Sequence, residues 1–173
     1  MHPDYWNRPV PASGPARARL LIVGLAPGLH GANRTGKPFT GDDSGELLFS
    51  VLRELDIQRS VRITNAVKCL PPGNLPTSSE VDNCLEFLAA ELVRYRTVLV
   101  LGGVAHRAVV KALKSRQSDF TFAHGAVHNI GSHCIVDSFH CSRYNTRTGR
   151  LTQQMFRTVV ESAATRAGLC TDG

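Results

Sequence analysis

The 173-residue sequence has no apolar run long enough to cross a membrane, no Cys-x-x-Cys pair, no internal repeat and no low-complexity tract. Its longest apolar stretches are far shorter than the about 20 residues a bilayer-spanning helix needs. Residues 1–15 are polar and proline-rich, without the charged-then-apolar pattern of a secretory signal. The expected location is therefore the cytoplasm. There the five cysteines, at 69, 84, 134, 141 and 170, do not form a disulfide framework. Aromatic residues are scarce at 6%, and the single tryptophan, Trp6, reads as a packing residue. The glycine-rich stretch after residue 23 matches neither Gly-x-x-x-x-Gly-Lys-[Ser/Thr] nor Gly-x-Gly-x-x-Gly, which argues against a nucleotide-phosphate cradle.

A hydrophobic fraction of 42% in this length suits one domain with one sizeable core. The formal net charge of +6 favours a polyanion as partner, although charge alone decides little.

The chain is organised around residues 24–45. This stretch holds six glycines and two prolines, with His30, Asn33, Arg34, Asp42 and Asp43 among them. It follows the apolar run Leu20-Leu-Ile-Val23, which reads as a buried parallel strand. It precedes Leu47, Leu48, Val51, Leu52 and Leu55, spaced for one face of a helix. A polar loop between a first strand and a first helix is where open α/β sheets gather ligands.

Residues 1–18 read as an extended arm and residues 19–173 as one domain. Strands are expected at about 19–24, 61–67, 97–101 and 134–139, and helices at about 44–55, 78–94, 104–114 and 151–167. The segment 117–131 fits no single element. Strands alternating with helices predict an α/β fold with a mainly parallel sheet between helical layers.

In such a sheet the ends of the strands share one edge, so the 24–45 loop, Asn65 and His140 can meet. Asn65 offers a donor and an acceptor side by side, suited to a base edge. Phe39 offers a stacking face. Asp42 can orient or deprotonate water, and His140 can donate to an oxygen that gains charge. Together they suit hydrolysis of a sugar–base bond. Each also has a plainer reading: Asp42 as a helix N-cap, Asn65 as a turn residue, Phe39 as core and His140 as a strand-end cap.

The run Gly24-Leu-Ala-Pro-Gly-Leu-His-Gly-Ala-Asn-Arg-Thr-Gly-Lys-Pro-Phe-Thr-Gly-Asp42 closely resembles the first motif of the family 5 (type b) uracil-DNA glycosylases. Thr64-Asn-Ala-Val-Lys-Cys-Leu-Pro-Pro-Gly-Asn-Leu-Pro-Thr resembles the segment after their second strand. Ser138-Phe-His-Cys-Ser-Arg-Tyr-Asn-Thr-Arg-Thr-Gly-Arg-Leu-Thr resembles their last motif, and Asp4-Tyr-Trp-Asn-Arg-Pro-Val-Pro is similar to their approach to the first strand. The resemblance implies a three-layer α/β/α sandwich around a four-stranded parallel sheet. It implies a monofunctional glycosylase that excises uracil from DNA, with other deaminated bases as further candidates; a monomer is expected.

By the same resemblance Asp42 and His140 match the catalytic residues. Ala26, Phe39, Asn65 and Asn145 match substrate-binding positions, Ala26 standing where other families place their acid. Arg143, Tyr144 and Arg147 lie in a loop suited to DNA contact. Relatives bind a [4Fe-4S] cluster through four cysteines, and Cys69 and Cys84 match the third and fourth; no other cysteine falls at a matching position. Four thiolates are the normal requirement, which speaks against a cluster in this chain as written. Two explanations stay open: a start upstream of Met1, or loss of the cluster with two relict cysteines. The chemistry itself requires no cofactor. A competing reading is a module that binds damaged or single-stranded DNA without cleaving it.

Overall fold

The computed structural model describes residues 2–170. Met1, in the expected arm, and residues 171–173, at the end of the expected domain, lie outside them. The strands are β1 (Leu20–Gly24), β2 (Val61–Asn65), β3 (Thr97–Leu101), β4 (Val127–Ile130) and β5 (His133–Ser138). The helices are α1 (Ala32–Thr35), α2 (Asp43–Glu54), α3 (Ser78–Leu92), α4 (Gly103–Ala112), α5 (Arg143–Arg147) and α6 (Gln153–Arg166).

The sheet runs β2-β1-β3-β5-β4, with β2, β1, β3 and β5 mutually parallel. It has five strands where the sequence led us to expect four. The fifth, β4, folds back antiparallel on β5 with Ile130 opposite His133. Only Ile130 of its four residues is fully buried, so the segment lacks the continuous apolar run of an inner strand.

The inner strands are buried on both faces. Leu20, Ile22, Leu99, Leu101 and Val136 point to one side, where Leu48, Leu52, Phe156 and Val160 of α2 and α6 cover them. Leu21, Val23, Val98, Val100 and Ile135 point to the other, against Leu88 and Leu92 of α3 and Ala105 and Val109 of α4. Each of these leucines, being fully buried, contributes roughly 1.5–3 kcal/mol of hydrophobic stabilisation. Helix starts are set by side chains. Asp42 accepts from Gly45 N–H at 2.9 Å, Thr152 accepts from Met155 N–H at 3.1 Å, and Thr77 with Glu80 forms the capping box expected from Thr77-Ser-Ser-Glu80.

The segment preceding β1 lies along the free edge of β2. Ser13 and Ile63 exchange two backbone hydrogen bonds of 2.8 Å, and Val10 N–H donates to the Lys68 carbonyl at 2.8 Å. Further back, Asn33 donates its side-chain amide to Asn7 Oδ1 at 2.9 Å, so this segment also braces the glycine-rich loop. Among the described residues no helix is long and apolar enough to cross a membrane.

Candidate active site

The chain leaves β1 toward β2 on one side and β3 toward β5 on the other, so a crevice opens at the carboxyl ends of β1 and β3. A cavity of about 370 Å³ lies there. Ala26 and Gly28 form one wall, Asp42 and Ser44 another, Gly102 to Ala105 a third, and His140 and Ser142 close it. Three of the expected site residues, Ala26, Asp42 and His140, thus meet on one surface.

Asp42 divides its carboxylate between two tasks. Oδ1 takes the Gly45 N–H and caps α2. Oδ2 faces Gly28 and Gly31 so closely that a side chain at residue 31 would collide with it. The cap fixes the side chain and leaves the second oxygen on the cavity wall.

Asn65 and Phe39 do not line this cavity; both are buried and converge on Gly24, at the end of β1. A Cβ built on Gly24 would stand 2.5 Å from both Asn65 Oδ1 and the Phe39 ring, so the missing side chain of Gly24 is what lets the two converge. Phe39 adopts φ 55°, an uncommon conformation for a residue with a side chain. Asn65 is 3% exposed, yet its Oδ1 has no hydrogen-bond partner. A buried acceptor left without a donor costs about 1–3 kcal/mol, which marks this oxygen as waiting for one. Gly24→Ala is expected to lose about 1–3 kcal/mol of unfolding free energy through overpacking, read by urea denaturation. An unchanged midpoint would mean that the pocket is looser than it stands here.

Lys68 secures Asn65 from below. Its ammonium, almost fully buried, donates to the Asn65 carbonyl at 2.8 Å, to Thr64 Oγ1 at 2.7 Å and to Glu91 Oε2 at 2.7 Å. Burial pulls the Lys68 pKa down, and the Glu91 charge acts against that.

His140 comes off the end of β5 with its ring stacked on Phe39, centroids 5.9 Å apart. Burial alone lowers its pKa to about 4, so the imidazole is neutral at pH 7. Asn145 donates its side-chain amide to the His140 carbonyl at 2.8 Å. Cys141 tucks beneath, its thiol donating to the Ser44 carbonyl at 3.5 Å and its pKa pushed up to about 12 by burial.

Beyond the cavity, α5 carries Arg143, Tyr144 and Arg147 into solvent. Arg143 pairs with Asp43 at 3.1 Å across an exposed gap, a contact worth little by itself. Tyr144 is 72% exposed, an unusual position for a large aromatic residue. Arg150 lies over the Phe139 ring at 4.6 Å.

Cys69 and Cys84 share the wall of a separate cavity of about 540 Å³, closed by residues 9–12 and Phe87. Burial, and after it the neighbouring Cys84, raises the Cys69 thiol pKa. Cys134 and Cys170 pack on the core beneath α2 and α6, and Cys141 is buried beside Ser44. The described residues thus bring two thiols together where a [4Fe-4S] cluster needs four ligands. Among the described residues the set does not complete a cluster site.

The sequence did not single out Asn74, Ser142 or the start of α4 as cavity walls. Gly102-Gly103 read only as the end of a strand, although it lies on the same sheet edge as Asn65 and His140. Asn74 reaches the cavity because its Oδ1 accepts the Leu29 N–H at 3.0 Å, tying the proline-rich loop to the glycine-rich one.

Residues 11–164 match the family model described as the uracil DNA glycosylase superfamily. The chain is 41% identical to a type-5 uracil-DNA glycosylase of Thermus thermophilus, over 95% of this chain and 83% of that protein. It is 44% identical to one of Pyrobaculum aerophilum, over 95% and 79%, and 40% identical to one of Mycobacterium tuberculosis, over 95% and 69%.

Proposed function

Because the chain belongs to the uracil-DNA glycosylase superfamily, and to its type-5 branch, we propose that it removes uracil from DNA by hydrolysing the bond between base and deoxyribose. The observation that carries this reading is the orphaned Asn65 Oδ1. Uracil presents an N–H between two carbonyl oxygens, and that N–H supplies the donor this oxygen lacks. Thymine differs by a methyl group, and cytosine has no hydrogen on the corresponding ring nitrogen.

A base cannot reach this pocket from within a duplex, so it must be turned out of the stack. The cost is a few kcal/mol, least for a mismatched base such as uracil opposite guanine. Tyr144, exposed beside the cavity, is suited to fill the gap left behind, and Arg143 and Arg147 to hold the flanking phosphates. Phe39 and Asn65 hold the base. As the glycosidic bond lengthens, the sugar gains positive and the base negative charge. Asp42 Oδ2 orients water toward the sugar carbon, and its charge favours the cationic sugar. His140, neutral, donates to a uracil carbonyl oxygen as the anion forms. Water adds to the sugar carbon, the base leaves with the bonding electrons and is then protonated, and an abasic site remains. Asn145 acts through His140, whose carbonyl it holds. This chemistry needs side chains and water only. We place the protein in the cytoplasm as a monomer, acting on uracil and, by extension, on other deaminated bases that keep an N–H facing Asn65.

The test is a labelled duplex with one uracil opposite guanine. Alkali-labile cleavage at that position is expected, and free deoxyuridine should be untouched. Tight binding of the duplex with no abasic site formed would favour the alternative of a non-catalytic damaged-DNA-binding module.

A further inference from the structure

Behind the cavity, and outside the constellation described so far, three titratable side chains meet in the core. His106 and Asp137 are 1% and 0% exposed. His106 Nδ1 lies 2.8 Å from Asp137 Oδ1, and His106 Nε2 lies 2.8 Å from the Phe120 carbonyl oxygen. His128 Nε2 lies 2.9 Å from Asp137 Oδ2, which the Ala123 N–H also approaches at 3.4 Å.

The geometry fixes the proton count. A carbonyl oxygen only accepts, so His106 Nε2 carries a hydrogen. Its Nδ1 faces a carboxylate oxygen, so a second hydrogen is needed there. A neutral imidazole has one. The pair therefore holds one proton more than neutral histidine and ionised aspartate would suggest by themselves. Asp137 Oδ2 takes the Ala123 N–H, and each of its carboxylate oxygens has an imidazole nitrogen within hydrogen-bond distance. The extra proton is assigned to the His106 ring, which its partners Asp137 and Phe120 favour charged. A metal ion in its place fits poorly. Ligand bonds of about 2.0–2.2 Å in tetrahedral geometry would hold the ligating atoms about 3.3 Å apart, whereas the separations here are those of hydrogen bonds.

An ion pair in the core is an expensive way to fill space, since apolar side chains of similar volume often serve as well or better. Its place in the fold gives it a use. His106 sits in the first turn of α4, its N–H bonded to the Gly102 carbonyl at 3.0 Å, and Gly102 to Ala105 form one wall of the cavity. Asp137 lies three residues before His140 on β5, which carries the opposite wall. The stretch 120–128 is drawn into the same arrangement, since His124 Nδ1 accepts the Phe139 N–H at 3.0 Å and its ring stacks on Phe139 at 4.8 Å.

We propose that His106, doubly protonated and ion-paired with Asp137, is a positioning residue that clamps the first turn of α4 to the end of β5 and so sets the place of His140 across the cavity. The positioning role rests on the reading of His140 above; the protonation state does not. Three kinds of group act on the His106 ring. Burial lowers its pKa, the hydrogen bond and charge of Asp137 on β5 and the Phe120 carbonyl raise it, and Arg107 on its own helix lowers it; the balance is upward. His128 on β4 faces the other carboxylate oxygen.

Two measurements decide the matter. In imidazole ¹H–¹⁵N spectra of the wild-type protein from pH 6 to 8, His106 is expected to keep both nitrogens protonated throughout. An unprotonated nitrogen at pH 7, or a stoichiometric metal on the purified protein with metal-shifted His106 signals, overturns the ion pair. His106→Gln can still hydrogen-bond but cannot carry the charge. It is expected to slow single-turnover uracil excision about tenfold, within the roughly 10²-fold that a 1 Å misplacement of a reacting group can cost, with less than about a twofold change in affinity for a non-cleavable uracil duplex. Where that variant does not fold, the double variant His106→Leu/Asp137→Leu removes both charges together and is expected to show the same split. Wild-type excision rates in the folded variant, single or double, overturn the positioning role alone. A wild-type protein that excises nothing overturns the reading of the cavity as well, whatever the spectra show.

Discussion

Asp42→Asn is expected to lower the single-turnover rate of uracil excision by roughly 10²–10⁴, the usual worth of a positioned acid or base, while the fold stays as stable as before. The two halves of this expectation come from the two oxygens. Asparagine is as good an N-cap as aspartate, so the bond to the Gly45 N–H can persist and α2 keeps its start. What disappears is the negative charge facing Gly28 and Gly31, which would orient water and favour a cationic sugar. Asp42→Ala removes the cap as well and should additionally cost about 1 kcal/mol of stability. Comparing the two in excision and urea unfolding separates chemistry from capping. Duplex affinity should move by no more than about twofold in Asp42→Asn, because the mechanism assigns Asp42 to the transition state and not to ground-state binding. Full activity in Asp42→Asn would remove this residue from the mechanism.

His140→Leu should cost about 10²–10³ in the same rate, the usual loss when one donor to a developing oxyanion is removed. His140→Gln, which keeps a donor, should recover part of it. The pH profile carries a sharper expectation. Burial holds the ring neutral down to about pH 4, so no kinetic step near pH 6.5 should belong to His140. A limb near that pH that vanished in His140→Gln would contradict the neutral donor. Stability follows the same sign. The unfolded chain takes up the His140 proton near the ordinary value of about 6.5, before the folded chain does. The contribution of this group is therefore complete above that pH and is lost as pH falls toward about 4.

The inner strands were legible because a parallel strand covered on both sides leaves an unbroken apolar run, as in Thr97-Val-Leu-Val-Leu101. The long helices were legible from their periodicity and caps, down to the reciprocal bonds of Thr77 and Glu80. The edge strand β4 was not, because Val127-His-Asn-Ile130 is short and half polar and finds its place only by pairing with β5. That Asp42 and His140 could share one sheet edge was legible from strands alternating with helices, whereas Ala26 was singled out only through the family resemblance. The orphaned oxygen of Asn65 was not legible, since it depends on the absent side chain of Gly24 and on the Phe39 ring beside it. His106 and Asp137 escaped notice because nothing local in a helix and a strand signals that their side chains meet.

The backbone exchange between Ser13 and Ile63 also bears on how copies of this protein behave toward one another. β2 is the last strand on its side of the sheet, and a bare edge offers a row of unpaired N–H and C=O groups to any other extended chain. The segment through Val10 and Ser13 occupies that row. The opposite margin is guarded differently, by the four short, half-polar residues of β4. A molecule whose first residues were clipped or peeled away would turn Val61–Asn65 into a template for sheet extension, so the segment that braces the glycine-rich loop also protects the protein against self-association.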